Sequence, residues 1–276
     1  NALNSASISS IKNDEYLTHP VFGNSLKGFW ISKYEISNDN GIKTIPGASS
    51  YRNETLDNYD GILSNLANTY ELGTNVESHI VNNLEWGAIL YLSHSKYGVC
   101  LEDGCSSISA NSGYVAGENK GDTTTKNVYG VYDMSGGAWE RTASYDSLST
   151  STYMTNSSYG LYMTQEAKDA SGNYESTKYI TAYSNGTSSN SGNTTMYSVG
   201  KIGDATKEVN LGGNYITTST YYANWFSDYP YLCYASNPFV NRGGYYGGGA
   251  YAGVFYSSYY SGNSASYDSF RAVLCP

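Results

Sequence analysis

Cysteine is the first residue type in this sequence that could do chemistry, and the chain has four: Cys100, Cys105, Cys233 and Cys275. Four cysteines allow three disulfide pairings. An even count in an acidic chain rich in Tyr, Ser and Asn is typical of an extracellular or virion surface. Cys100 and Cys105 lie in one short stretch and could pair locally, which would leave Cys233 to pair with Cys275. Free thiols in a reducing cell are the alternative.

Histidine is the second such residue type, and the chain has His19, His79 and His94. His79 and His94 are 15 residues apart on or beside one predicted helix, and this spacing does not bring them together on one face for a metal ion. We therefore predict that each histidine is exposed or hydrogen-bonded and that none is a metal ligand.

Tyrosine is unusually abundant, with 31 among 276 residues, and it dominates residues 245–268. Apart from Val254 and Phe255, that segment holds only Tyr, Gly, Ala, Ser, Asn and Asp. Tyr with Ser, Gly and Asn is the composition of antibody paratopes, where Tyr supplies contact area at low entropic cost. The predicted contact residues are Tyr245, Tyr246, Tyr251, Tyr256, Tyr259, Tyr260, Asn263, Ser264, Ser266, Tyr267 and Asp268. A glycine-rich coil packed by tyrosines is the alternative, since Tyr, Ser and Gly are frequent throughout the chain.

The overall composition excludes several classes of protein. Charged residues make up 14% of the chain and the net charge is -9, so nucleic acid is not an expected partner. No stretch approaches the roughly 18 apolar residues that a membrane span needs, so we expect no membrane insertion. The aromatic content of 15% is too high for a disordered chain. Because the sequence begins at Asn1, we expect a fragment or a processed chain, whose targeting cannot be read.

The periodicity of apolar residues predicts the elements that must position these side chains. Residues 22–37 alternate apolar and polar, which predicts a half-buried strand with Phe29, Ile31 and either Tyr34 or Ile36 in the core.

Two helices are predicted, over 54–70 and 78–97, with Ser78 as a possible N-cap of the second. The apolar stripe of the second helix is predicted to comprise Val81, Leu84, Ala88, Tyr91 and Leu92. Two helices followed by many short strands indicate the α+β class. Residues 1–20 are predicted to be a lead-in segment, and the Ser-, Thr- and Asn-rich stretch at about 143–201 an insertion.

Five sequence segments occur in an order that resembles a known family. They are FWISKYEIS at 29–37, LEWGAILYL at 84–92, NVYGVYDMSGGAWE at 127–140, RGG at 242–244 and SFRAVL at 269–274. Together they resemble the formylglycine-generating enzyme/sulfatase-modifying domain family, which is similar to the C-type lectin fold. The resemblance implies one domain over 21–276, with two helices, short twisted antiparallel strands and long loops.

Several residues within these segments have structural roles that can be predicted. Trp86 and Trp139 are large apolar residues beside turns, and we expect both to anchor the core. Arg242 is predicted to pair with a buried carboxylate such as Glu140. Arg271 lies inside an apolar strand and therefore also needs a partner.

The chemistry of the family can be checked against this chain. Members that oxidise a sulfatase cysteine use two cysteines between the RGG element and the last strand, and residues 245–270 here contain none. Other members of the wider fold family use histidine-bound iron, for which the three histidines are not suitably spaced. We therefore expect a protein that is not an enzyme.

The resemblance also implies a calcium site at the glycine turn, formed by Asp133, Gly136, Ala138 and Glu140. Oxygen ligands on a tight turn suit a hard cation. The alternative is that Glu140 is committed to an ion pair with Arg242. Apart from calcium, no cofactor is expected.

The C-terminal segment further resembles the variable region of proteins diversified by retroelements. Tyr, Ser, Gly, Ala, Asp and Asn can all arise when adenines in an asparagine codon are replaced, and the resemblance implies a variable region at 241–274. The predicted function is non-catalytic recognition of a protein or glycan on another cell, at a bacterial surface or on a phage particle. The alternatives are an oxidase of the formylglycine-generating type and a structural tip module of a pilus or phage tail.

Overall fold

A computed structural model describes about two thirds of the chain. The described residues are 21, 28–93, 98, 111–117, 123–125, 130–156, 159–161, 170–171, 177–187, 199–206, 228 and 231–276, without the side chains of 249–251.

Within these residues, the first half of the chain contributes four short strands and three helices. They are β1 (Trp30–Ile31), β2 (Ser37–Asn38), β3 (Ile42–Lys43), α1 (Leu56–Ser64), α2 (Leu66–Thr69), β4 (Glu77–Ile80) and α3 (Asn83–Ser93). The second half contributes β5 (Trp139–Asp146), β6 (Thr181–Tyr183), β7 (Phe239–Arg242), β8 (Ser257–Tyr260), β9 (Asp268–Phe270) and β10 (Ala272–Cys275). The predicted α+β class is confirmed. No described helix is long and apolar enough to cross a membrane.

The strands form two main sheets and one small hairpin. In the first sheet β10 lies between β1 and β4 and is antiparallel to both. The second sheet has the order β6-β5-β7-β8, and β9 pairs with β5 beside β6. The prediction of antiparallel strands is wrong for two pairs, because β6 and β9 both run parallel to β5. Strand β5 is therefore the centre of the fold and positions the start of the C-terminal segment.

The helix predicted over 54–70 is confirmed, although Asn65 divides it into α1 and α2. The side chain of Thr55 accepts a hydrogen bond from the Asn58 N–H and caps the first turn. Leu56, Tyr59 and Leu63 recur at helical spacing and are fully buried in the largest core cluster.

The helix predicted over 78–97 begins later than expected, at Asn83, and residues 94–97 lie outside the described residues. The prediction of Ser78 as its N-cap is wrong, because Ser78 belongs to β4 and pairs with Leu274 of β10. Asn82 and Glu85 instead cap the helix reciprocally: the Asn82 side chain accepts from the Glu85 N–H, and the Glu85 carboxylate from the Asn82 N–H.

The predicted apolar stripe of this helix is right only in part: Val81 is fully buried but precedes the helix, and Leu84 and Ala88 pack, partly buried, against the second core cluster. Trp86, Ile89 and Leu90 form its buried face, whereas Leu92 is exposed. Trp86 is confirmed as a core anchor, since it is fully buried and its indole N–H donates to the Val254 carbonyl at 3.0 Å.

The long strand predicted over 22–37 is wrong, because its described residues form only β1 and the start of β2. Residues 22–27 lie outside the described residues. The burial pattern is nevertheless as predicted: Ile36 is buried, Phe29 and Ile31 pack, partly buried, against the second core cluster, and Trp30 between them is 76% exposed.

The stretch predicted to be an insertion at about 143–201 supplies several core residues. Residues 143–146 complete β5, and Thr181–Tyr183 forms β6, which pairs with them. Met154 and Ile180 pack in the same core cluster as Leu56.

Cys233 and Cys275 are both free and buried, so the predicted disulfide between them is wrong. They lie in different core clusters: Cys233 packs with Tyr183, and Cys275 packs with Trp86. Cys100 and Cys105 lie outside the described residues, as do His19 and His94.

Candidate binding surface

The C-terminal segment leaves and rejoins the second sheet twice, and both excursions carry predicted contact residues. The first runs from β7 through Gly243 and Gly244 to a 3-10 helix (Tyr246–Tyr251) and returns as β8. Gly243 and Gly244 both have a positive φ, of 82° and 69°, which L side chains rarely adopt. The second excursion comprises residues 261–267, which connect β8 to β9 and are called the 261–267 loop.

Trp139 lies at the centre of an aromatic cluster that joins the two excursions. Its ring centroid is 5.1 Å from that of Tyr245, 6.2 Å from that of Tyr256 and 4.8 Å from that of Tyr267. The prediction that Trp139 anchors the core is wrong, because this side chain is only half-buried. It is the first residue of β5, at the end of the strand where the tyrosines collect, and it is a site residue that the sequence reasoning missed.

The cluster continues onto neighbouring parts of the chain. Tyr246 packs edge-on against Tyr114, with ring centroids 4.6 Å apart. The Arg52 guanidinium lies 3.8 Å from the centre of the Tyr114 ring, a cation–π arrangement. The aromatic surface therefore extends beyond the segment that composition had singled out.

Seven of the eleven predicted contact residues are exposed or partly exposed. Tyr246 and Tyr267 are 45% and 40% exposed. The others are Tyr245, Tyr259, Asn263, Ser264 and Ser266. We call these seven residues the tyrosine surface. The side chain of Tyr251 lies outside the described residues.

The prediction is wrong for Tyr256, Tyr260 and Asp268, which are buried. The Tyr260 ring packs on Phe239, and the Arg141 guanidinium lies 4.2 Å from its centroid. The Asp268 carboxylate forms an ion pair with Arg141, whose side chain is fully buried. Tyr260 and Asp268 belong to β8 and β9 of the second sheet, and Tyr256 directly precedes β8, so all three lie beneath the tyrosine surface rather than on it.

The 261–267 loop is held by hydrogen bonds to its main-chain carbonyls. The Leu56 N–H donates to the Gly262 carbonyl at 3.0 Å, and the Trp139 N–H to the Tyr267 carbonyl at 2.8 Å. Arg141 donates to the Asn263 carbonyl. Because these bonds do not use the side chains of the loop, a change of side chain at 263, 264, 266 or 267 leaves them in place.

A polar recess of about 230 Å³ opens beside the 261–267 loop. It is smaller than the roughly 300–1,000 Å³ of drug-sized ligand sites, so it suits one small group of a larger ligand. Its lining includes Trp139, Tyr259, Tyr267, Asn237, Asn241, Ser258 and Asn263.

Three buried oxygens on the lining residues have no hydrogen-bond partner among the described residues: Asn241 Oδ1, Tyr260 Oη and Asp268 Oδ1. Unpaired buried acceptors are costly, and a donor group of a ligand or a water molecule would relieve that cost. Burial raises the pKa of Asp268 to about 6, while the Arg141 charge acts in the opposite direction. Asn241 directly precedes Arg242 in the sequence, but nothing in the composition had marked it as a site residue.

The turn predicted to bind calcium is linked to the scaffold through its polar groups. Asp133 accepts a hydrogen bond from the Gly117 N–H at 2.7 Å, and the Ala138 N–H donates to Glu35 at 3.0 Å. Gly136 donates its N–H to the Gly243 carbonyl. A calcium ion here would have to share Glu140 with its ion-pair partner, and calcium binding stays a prediction.

Glu140 forms its ion pair with Arg271, so the predicted ion pair between Glu140 and Arg242 is wrong. Arg271 donates to both carboxylate oxygens, at 2.8 Å and 2.6 Å. Arg242 faces Glu140 only through the backbone register of β7 and β5, and its guanidinium lies 5.7 Å from the Trp86 ring centre. Burial raises the pKa of Glu140 and the Arg271 charge lowers it.

No protein-family model matches the chain, and no curated protein matches it in sequence.

Proposed function

We propose that this chain is a non-catalytic ligand-binding protein with a C-type lectin fold, whose tyrosine surface is the recognition site. The observation that carries the proposal is the separation between side chains and backbone in the 261–267 loop. Its outward side chains can vary, while carbonyl hydrogen bonds from α1, β5 and Arg141 hold its path. A recognition surface that must change its specificity without refolding needs this separation.

The chemistry of the tyrosine surface suits contact with a macromolecule. Tyr246 and Tyr267 present large amphipathic rings at low entropic cost, and Asn263, Ser264 and Ser266 supply adaptable donors and acceptors. The recess beside them would take a single donor-bearing group of the partner, which fits a sugar hydroxyl or a protein side chain. We propose a protein or a glycan on another cell as the partner, with the chain at a bacterial surface or on a phage particle.

The spatial convergence of the family-like segments supports the C-type lectin fold. Arg271 of SFRAVL pairs with Glu140 of the 127–140 segment. The Gly136 N–H of the same segment donates to the Gly243 carbonyl of RGG. Trp86 of the 84–92 segment donates to Val254, just beyond RGG. Segments that form one scaffold in a family should meet in this way.

We further propose that a retroelement diversifies the tyrosine surface. The exposed positions carry Tyr, Asn and Ser, which all lie within reach of adenine replacement in asparagine codons. The fixed flanks, Arg242 and Arg271, are fully buried. Seven of the ten described contact positions of the sequence hypothesis lie on the outside of the fold, and the two flanking arginines lie inside it, which supports the proposal.

The genes beside this one test the proposal. We expect a reverse transcriptase gene and a near-copy of the segment that encodes 241–274, with differences concentrated at the codons of the seven surface positions. A sulfatase gene in their place, together with copper-dependent oxidation of a sulfatase-motif peptide, would support the enzyme alternative. Pilus or tail-tip assembly genes without a near-copy would support the structural alternative.

A further inference from the structure

Three side chains with metal-binding atoms meet far from the tyrosine surface. They are His79 of β4, Glu85 of α3 and Cys275 of β10, and all three are buried. One ligand atom from each lies within 4.8 Å of the other two. His79 Nε2 and Glu85 Oε1 are 2.9 Å apart. Because 190 residues separate Glu85 from Cys275, sequence spacing could not reveal the cluster.

Hydrogen bonding within the protein does not fully account for the cluster. His79 Nδ1 is buried and has no hydrogen-bond partner among the described residues, and the His79 side chain is only 8% exposed. The Cys275 thiol is free and lies next to the carboxylate. A structural ion pair between His79 and Glu85 would explain neither feature.

From this geometry we propose that His79, Glu85 and Cys275 bind a zinc ion. Imidazole, thiolate and carboxylate are the three side-chain ligands of zinc in proteins. Ligand atoms 2.0–2.3 Å from a tetrahedral centre stand about 3.3–3.6 Å apart. The His79–Glu85 separation must therefore widen by less than about 1 Å, and the thiol must release its proton to solvent. Three protein ligands leave one position for water.

The ion would connect β10, the middle strand of the first sheet, to β4 and α3. Strand β10 pairs with β1 and β4, and Cys275 is at its end. A bound ion would hold that end to His79 of β4 and to Glu85 in the first turn of α3. Because a metal that binds only the folded chain stabilises it by mass action, zinc should raise the unfolding temperature.

The test uses the full chain after removal of metal with a chelator, and zinc and cobalt(II) as probes. We expect one zinc ion per chain by elemental analysis and a rise in unfolding temperature. With cobalt we expect a near-ultraviolet band from sulfur-to-metal charge transfer. Cys275→Ser should abolish that band and weaken zinc affinity by more than about 100-fold, since a residue that binds the metal directly contributes at least as much as the residues that support it.

Two variants provide matched controls. Cys233→Ser changes a second buried free cysteine in a different core cluster, and Cys100→Ser with Cys105→Ser removes the other two thiols. Both should keep the cobalt band. A wild-type chain that takes up no zinc, or a band that survives Cys275→Ser and disappears with Cys100→Ser and Cys105→Ser, would overturn the proposal. If Cys275→Ser fails to fold, the variant without Cys100 and Cys105 decides: one zinc ion and the cobalt band retained there support the proposal, and their loss overturns it. The readout does not depend on the tyrosine surface, so either proposal can fail alone.

Discussion

Arg271 donates hydrogen bonds to both carboxylate oxygens of Glu140, from Nε at 2.8 Å and from Nη2 at 2.6 Å. Both side chains are fully buried. Arg271 also donates to the carbonyls of Ser32 and Tyr132. Arg271 lies between β9 and β10, not inside one strand as predicted, so the pair connects that junction to the central strand and two loops. Removing one partner would leave the other charge buried without compensation.

We predict that Glu140→Gln lowers the free energy of unfolding by about 3–5 kcal/mol. Adding Arg271→Met to it should recover part of the loss, because the uncompensated guanidinium is then gone. Urea denaturation of both variants measures this. The exposed pair Lys178–Glu77 is the control, and Lys178→Met should cost at most about 1 kcal/mol. Equal losses at the two pairs would contradict a structural role for Glu140.

A second prediction separates the surface tyrosines from the buried ones. Tyr246→Ala should change the free energy of unfolding by no more than about 0.5 kcal/mol, because this side chain is 45% exposed. Tyr260→Ala should cost about 3–5 kcal/mol, because its ring fills space between Phe239 and Arg141. Thermal and chemical denaturation give both values. A large loss from Tyr246→Ala would mean that the tyrosine surface is part of the core.

A third prediction concerns pH and the buried Asp228, which accepts a hydrogen bond from the Phe255 N–H. Burial raises the pKa of Asp228 from 3.8 to about 7, while that hydrogen bond and the Arg242 charge lower it. The folded chain therefore holds this proton more tightly than the unfolded chain does. The stability that the group contributes is complete below about pH 4 and is lost as the pH rises through 7.

Asp228→Asn removes this titration, and its side-chain oxygen can still accept from Phe255. The unfolding free energy of the variant, relative to wild type, should rise by up to about 4 kcal/mol between pH 4 and pH 8. Urea denaturation across that range measures the difference. A difference that does not vary with pH would show that the pKa of Asp228 is not raised.

A fourth prediction tests the turn after β7. Gly244 has a φ of +69°, and an added Cβ would stand 2.5 Å from the Ala252 Cα. Gly47 has a similar φ of +77°, but an added Cβ would meet nothing within 4 Å. Gly47→Ala should lower the free energy of unfolding by the backbone strain alone, about 1 kcal/mol. Gly244→Ala should lower the free energy of unfolding by distinctly more. Similar losses would show that Ala252 moves aside easily.

The sequence predicted best what depends on local periodicity. The helix at Leu56–Ser64 follows from apolar residues three and four positions apart, and the burial of Trp86 follows from its size and apolar character. The predictions failed where distant pairing decides the structure. Ser78 has the side chain of a helix cap, but it lies in a strand because β4 pairs with β10, almost two hundred residues away.

The candidate site was predicted in part for a similar reason. Composition identified the tyrosine-rich segment, but it could not distinguish Tyr259 from Tyr260, which face opposite sides of β8. Trp139 and Asn241 lie outside that segment and join the site only because β5 and β7 pair beneath it. Arg141 drew no attention in the sequence, although a charged residue within a buried strand needs partners, and it holds Asp268 and the Asn263 carbonyl.

The most direct measurement is the sequencing of this gene from many individuals of one source population. The account predicts that substitutions cluster at Tyr245, Tyr246, Tyr259, Asn263, Ser264, Ser266 and Tyr267. It also predicts that Tyr256, Tyr260 and Asp268 stay constant within the same segment, because they are buried. Substitutions scattered evenly over the gene, or equally frequent at the buried and exposed positions of 245–268, would contradict it.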